Sequence, residues 1–105
     1  MTLRDAIDRL PKWPHEATIF AERIDGEFRP ESQATVIELT EDEFQRPINE
    51  VAAERAPGQH YFLEVFVAAD VLDDWRSYRR SEAATLEQEL QVVIYYAKND
   101  AYPRT

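Results

Sequence analysis

The sequence predicts an α+β fold, in which a small, mostly antiparallel sheet of three strands packs with three long helices and one short helix. Three observations lead to this fold class. Apolar residues recur at helical spacing in several segments, and three short stretches rich in β-branched and aromatic residues lie between them. The first two predicted strands have no helix-length connection between them, which disfavours a parallel α/β sheet. Without an internal repeat or a composition shift, residues 1–105 are predicted to form one globular domain.

The most regular helical pattern lies between Thr85 and Tyr102, and it predicts a buried C-terminal helix followed by a short aromatic tail. Its apolar face is formed by Leu86, Leu90, Val93, Ile94 and Ala97. Thr85 and Gln88 form a capping-box pattern, and Asn99 can adopt the left-handed conformation that ends a helix. The β-branched and aromatic run inside this stretch also suits a strand, but the caps and the helical period agree over several turns.

Three further helices are predicted earlier in the sequence. A long helix follows the N-cap Thr2 and ends at Pro11, and another long helix runs from the N-cap Asp70 to about residue 80. A short helix begins at Pro47, where the fixed φ of proline suits a first helical turn. The capping-box pattern at Thr40 has little helical spacing after it, so no sustained helix is predicted there.

Three strands are predicted, over Ala17–Arg23, Ala34–Leu39 and His60–Val67. Asp25-Gly26 is a turn signal between the first two, although the polar residues after it make the loop longer than a tight hairpin. In the third strand, strict alternation places Phe62 and Phe66 on one face of the sheet. The other face then receives Tyr61, Leu63, Val65 and Val67. Because this strand is almost continuously apolar, we predict that it is central and that the C-terminal helix packs against it.

The acidic balance of the chain limits the classes of partner it can bind. The sequence has 21 acidic and 12 basic residues, which give a net charge of −9. Such a surface repels nucleic-acid phosphates and anionic lipids, and it attracts a basic protein. Solubility alone also explains an acidic surface, so this alternative stays open.

Cysteine usage and targeting features favour a cytoplasmic location. The chain has no cysteine, which excludes disulfide bonds and thiolate sites. Its first residues lack the apolar segment of a secretory signal, and no window approaches the roughly 18 apolar residues that span a bilayer. We therefore expect a cytoplasmic protein without a membrane partner.

No group of residues predicts catalysis. Asp70, Asp73 and Asp74, with Glu64 nearby in sequence, could bind a hard cation, because carboxylates at this spacing share one side of a helix. Acidic residues at a helix start have a simpler role, since they cap free amides and oppose the helix dipole. The histidines are isolated, no serine has a nucleophile-elbow context, and two glycines are too few for a phosphate-binding loop. We expect no enzymatic activity, no cofactor and no metal.

Three parts of the sequence carry a resemblance to a known family. The spacing of Leu3, Ile7 and Leu10, followed by FLEVFVAADVLDDW and IYYAKNDAY, resembles that of small, uncharacterised bacterial proteins with a domain of unknown function. Members of that family end in Tyr-Tyr-x-x-Asn-Asp-Ala-aromatic, and the matching residues here are Tyr95, Tyr96, Asn99, Asp100, Ala101 and Tyr102. The resemblance implies no reaction, cofactor or catalytic residue, and it adds only a weak argument for a role beside bacterial toxins.

Two acidic clusters and one aromatic cluster are the candidate protein-binding residues. They are Glu41, Asp42, Glu43, Asp70, Asp73, Asp74, Tyr95, Tyr96, Asn99, Asp100 and Tyr102. The carboxylates would attract a basic partner, and tyrosines beside amide groups have the composition of protein interfaces. The acidic clusters would share one sheet edge if the second and third strands run parallel, and would form two patches if those strands run antiparallel.

These observations lead to one functional prediction and one alternative. We predict a non-enzymatic acidic protein-binding domain, such as an immunity-type protein that masks a basic bacterial toxin. The alternative is a small enzyme or small-ligand-binding module that uses the carboxylates. Exposed aromatic residues could equally be buried in a homodimer, so the oligomeric state stays open.

Overall fold

The computed structural model describes residues 1–79 and 84–99 and confirms the predicted α+β class. Its elements, in chain order, are α1 (Leu3–Asp8), a 3-10 helix (Leu10–Lys12), β1 (Thr18–Ala21), β2 (Ala34–Ile37), α2 (Glu41–Phe44), α3 (Ile48–Arg55), β3 (His60–Glu64), α4 (Val65–Arg79) and α5 (Leu86–Asn99). None of the helices within the described ranges is long and apolar enough to cross a membrane.

The sheet has the order β2-β1-β3, and β1 pairs antiparallel with both neighbours. The prediction that the third strand is central is therefore wrong. All four residues of β1 are buried, whereas β3 begins with the exposed His60. Since β2 and β3 both oppose β1, they run parallel to each other, and their ends Ile37 and Glu64 lie opposite the same residue, Thr18.

A β-bulge in β3 changes which residues face the core. Ile19 pairs with Leu63, but the next residue of β1, Phe20, pairs with Tyr61, so Phe62 is the extra residue of the bulge. Both Phe62 and Leu63 are buried in the same cluster, although strict alternation predicted opposite faces. The bulge thus directs two neighbouring large side chains into one core.

The third predicted strand ends earlier than expected, and this boundary is a second correction. The strand stops at Glu64 and α4 begins at Val65, so Asp70 lies inside the helix and is not its N-cap. Two amides at the start of α4 are bonded by the segment before β1, because Val65 N–H donates to Ala17 O (2.9 Å) and Phe66 N–H donates to His15 O (3.3 Å). Val65, Ala68, Val71 and Leu72 are all buried at helical spacing.

The helix starts read from capping patterns are largely confirmed. Thr2 and Asp5 form a capping box at α1, and Thr40 and Glu43 form one at α2. The second box begins a helix of four residues, where no sustained helix was predicted. Pro47 is the N-cap of α3, one residue outside the helix that it was predicted to begin.

Side chains on the two faces of the sheet belong to two separate cores. The main core joins the sheet to α1, α4 and α5, and its largest fully buried members include Leu3, Ile19, Phe62 and Leu90. The small core consists of Phe20, Ile37, Ala52 and Ala56, with Leu39 and Tyr61 packed against it. Helix α3 thus covers the face of the sheet that is opposite the longer helices.

Helix α5 packs mainly against α4 and α1, rather than against β3 as predicted. Its buried residues are Leu90, Val92 and Val93, while Ile94 and Ala97 are only half-buried. The buried face is therefore rotated slightly toward Val92 from the predicted one. The starting capping box is confirmed, since Thr85 N–H donates to Gln88 Oε1 at 3.0 Å and Gln88 N–H donates to Thr85 Oγ1 at 3.2 Å.

Candidate functional site

The α2–α3 hairpin presents apolar side chains among acidic ones. Residues 40–50 are all described, and within them only Glu43 is not exposed. Phe44 is 58% exposed and Ile48 is 38% exposed. We call this surface the α2–α3 face, and it consists of Glu41, Asp42, Phe44, Ile48 and Glu50. An exposed aromatic residue beside carboxylates is an arrangement suited to a basic protein surface.

Two arginine–glutamate pairs order the hairpin: Arg55–Glu43 joins α3 to α2, and Arg46–Glu54 joins α3 to the connection between the two helices. The Arg46 guanidinium donates two hydrogen bonds of 2.8 Å to Glu54, one from each terminal nitrogen to each carboxylate oxygen. Arg55 donates from Nη1 to both oxygens of Glu43, at 2.6 and 2.8 Å. Because charge-assisted pairs of this kind restrict orientation, the hairpin holds Phe44 in place relative to α3.

Glu43 has a structural role, unlike the two acidic residues before it. Its Oε1 accepts the Thr40 N–H at 3.0 Å, and its side chain is only 11% exposed in the pair with Arg55. These bonds, the backbone one first, lower the pKa of the Glu43 carboxyl below its ordinary value. Glu41 and Asp42 are exposed and form no ion pair within the described part of the chain. Two of the three predicted carboxylates are therefore available to a partner.

We expect the wild-type protein to lose more stability in acid than a Glu43→Gln variant. The folded-state pKa of Glu43 is lowered, so its contribution is present above its ordinary pKa of 4.5 and is lost as the pH falls through the folded-state value. Denaturant unfolding between about pH 6 and pH 3 would measure the difference. Parallel curves for the two proteins would contradict the stabilising role of the Glu43 bonds to Thr40 and Arg55. Glu50→Gln, which alters a neighbouring exposed carboxylate, is the matched control.

The second acidic cluster does not converge on one point. The ends of β2 and β3 share a sheet edge, but Asp70, Asp73 and Asp74 lie within α4, roughly 8–14 Å along its axis. Asp73 Oδ1 is 3.8 Å from Arg76 Nη1, and Arg76 Nε donates to Glu89 on α5 at 2.7 Å. Among residues 1–79 and 84–99, no group of three or more histidine, aspartate or glutamate side chains could hold a metal ion.

The predicted tyrosine cluster is divided between the core and the surface. Tyr96 is half-buried and packs against the main core, whereas Tyr95 is 40% exposed. Asn99 acts at the helix end, where its Nδ2 donates to Tyr95 O at 3.0 Å. Asp100 and Tyr102 lie outside the described residues. Only Tyr95, of the described members, presents a large aromatic surface to solvent.

A groove that the sequence did not predict lies between the β1–β2 connection and α5. It has a volume of about 780 Å³ and includes Arg23, Phe28 and Arg29 on one side and Tyr95 and Lys98 on the other. Its loop wall is shaped by a tight turn, in which Asp25 and Gly26 have φ of 53° and 81° and Ile24 and Glu27 exchange backbone hydrogen bonds of 2.7 and 3.1 Å. The Asp25-Gly26 pair was the one sequence signal for this feature.

No protein-family model, curated protein or solved structure matches this chain. The resemblance to small bacterial proteins that end in the Tyr-Tyr-x-x-Asn-Asp-Ala-aromatic pattern therefore stays a prediction. Support for a function comes from the chemistry of the α2–α3 face and of the groove.

Proposed function

We propose that this chain is a non-enzymatic acidic protein-binding domain, and that its α2–α3 face binds a basic surface on another protein. The observation that carries the proposal is the exposed Phe44 beside Glu41 and Asp42, whose charges are not neutralised by described cations. Aromatic residues dominate binding energy at many interfaces, and surrounding charges select the partner. An immunity-type protein that masks a basic toxin is one form of this function.

Two further properties support a protein partner over a small ligand on this face. The Arg46–Glu54 and Arg55–Glu43 pairs order the hairpin before binding, which reduces the entropy lost when a partner docks. The net charge of −9 provides an attractive field for a cationic surface and raises the rate of encounter at low salt. The alternative, an enzyme or ligand module using carboxylates, has weaker support because two of the candidate carboxylates, Glu43 and Asp73, lie against arginines.

The partner can be sought by affinity capture from the native host, with the wild-type chain and two variants as baits. We expect the Glu41→Lys/Asp42→Lys bait not to capture the protein that the wild-type bait captures, because the variant repels a basic surface. The matched control is Glu16→Lys/Glu31→Lys, which changes the net charge equally at exposed acids outside the hairpin. Glu43 is left unchanged, since its replacement would also disrupt the α2 capping box.

Binding kinetics with the captured protein would then separate charge from contact. We expect Glu41→Lys/Asp42→Lys to slow association at low ionic strength, and Phe44→Ala to weaken binding about tenfold or more through faster dissociation. Phe44→Ala should leave the free energy of unfolding within about 0.5 kcal/mol of wild type, because the side chain is exposed. Unchanged kinetics in both variants, or dimerisation of the wild-type chain through this face, would overturn the proposal.

A further inference from the structure

The groove beside α5 has a charge opposite to that of the protein as a whole. Among the described residues, its charged lining consists of Arg23, Arg29, Lys98 and Glu27, so described cations outnumber described anions here in a chain of net charge −9. Glu27 lies between two of the cations, with its Oε1 3.2 Å from Lys98 Nζ and its Oε2 4.0 Å from Arg29 Nη2. One carboxylate cannot balance three cations, and an excess of positive charge is left over.

Contacts with neighbouring groups hold Arg23, Phe28 and Arg29 in position in this groove. The Arg23 guanidinium carbon lies 5.3 Å from the centre of the Phe28 ring, within the range of a cation–π contact. Phe28 in turn packs edge-on against the buried Phe62, with ring centres 4.9 Å apart and an interplanar angle of 85°. Arg29 Nε donates to Ile24 O at 3.4 Å, which leaves other guanidinium donors for a ligand.

The rest of the lining combines aromatic surface with hydrogen-bonding groups. Trp75 from α4 and Tyr95 from α5 contribute to the same groove as Phe28, and the exposed Gln91 adds an amide. A volume of about 780 Å³ falls within the usual range of small-molecule sites, which combine apolar walls with a few polar groups. A planar ring would bury apolar area against these walls while an acidic substituent meets the arginines.

We propose that this groove binds a small aromatic carboxylate, with its ring among Phe28, Trp75 and Tyr95 and its carboxylate at Arg23 and Arg29. An arginine fork matches the two oxygens of a carboxylate, and this pairing gives preference for an anion over a neutral analogue. The site uses cations and aromatic side chains, and it is distinct from the acidic α2–α3 face. A ligand here would be a second binding activity of the chain.

The test uses naphthoate as the probe, with its uncharged amide, naphthamide, as the comparison of nearly equal shape. Titration of the full chain, followed by two-dimensional amide NMR spectra, should give saturable shifts at Phe28, Gln91 and Tyr95. We expect naphthoate to bind about tenfold more tightly than naphthamide, because only the carboxylate pairs with the arginines. Equal affinities, shifts centred elsewhere, or no saturable shift at millimolar probe would overturn the proposal.

Arginine-to-glutamine variants test which cations give the groove its preference for the anionic probe. Arg23→Gln should weaken naphthoate binding about tenfold and leave naphthamide unchanged, while Arg9→Gln, an exposed arginine that does not line the groove, should change neither. Arg29→Gln is the second variant, used if Arg23→Gln alters spectra throughout the protein. Equal effects of Arg9→Gln and the groove variants would overturn the site, whereas unchanged naphthoate binding in Glu41→Lys/Asp42→Lys would separate it from the α2–α3 face.

Discussion

Phe20→Ala should lower the free energy of unfolding by about 3–5 kcal/mol, because it removes the largest side chain of the small core. Phe20 is fully buried in the central strand β1 and packs with Ile37, Ala52 and Ala56. Truncation would leave a cavity between the sheet and α3, where the two alanines have few atoms to move into the space. Denaturant unfolding monitored by circular dichroism would measure the loss.

Phe66→Ala is the matched control for this substitution. Phe66 lies on α4 with 48% of its surface exposed, so the same chemical change should alter the free energy of unfolding by about 0.5 kcal/mol or less. A loss below about 1 kcal/mol for Phe20→Ala would contradict tight packing between α3 and the sheet.

Leu90→Ala should lower the free energy of unfolding by about 2–5 kcal/mol, since Leu90 is fully buried where α5 joins the main core. The next residue, Gln91, lies on the exposed side of the helix, so Gln91→Ala should change the free energy of unfolding little. The helical spacing placed Ile94 on the same apolar face, but Ile94 is only half-buried, so Ile94→Ala should cause a smaller loss than Leu90→Ala. Equal losses for Leu90→Ala and Gln91→Ala would show that the facing of α5 is wrong.

Helix positions could be predicted because their signals are local. The caps at Thr2 and Thr85 bond to residues three positions further on, and the helical period of α5 is visible within its own sequence. The box at Thr40 was recognised, but the four-residue helix that follows it was not predicted. The boundary between β3 and α4 could not be predicted in the same way. Val65 has high strand propensity, and the helix starts there because the amides of residues 65 and 66 bond to the distant Ala17 and His15.

Strand order and facing required information from across the chain. The bulge at Phe62 arises from how β3 meets β1, and a period of two residues gives no sign of it. The prediction of a central β3 rested on its apolar composition, yet β1 is central because both of its faces meet a core.

The candidate sites were predictable only in part, for the same reason. Glu41, Asp42 and Glu43 look alike in sequence, and Arg55, which engages Glu43 from 12 residues away, distinguishes them. The groove depends on contacts such as the one between Glu27 and Lys98, which are 71 residues apart. Neither the separate role of Glu43 nor the groove could therefore be predicted from local spacing.

The small core also has a consequence for the motions of the protein. Helix α3 is anchored by few large side chains, whereas α4 and α5 share the extensive main core. The α2–α3 hairpin can therefore detach from the sheet at a lower free energy than global unfolding requires, as a separate cooperative unit. Backbone amides of α3 should exchange with deuterium through this partial opening, and those of α5 should exchange only when the whole domain opens. A partner bound across α2 and α3 would selectively slow amide exchange in α3. Its binding free energy would therefore include the free energy of holding the hairpin against the sheet.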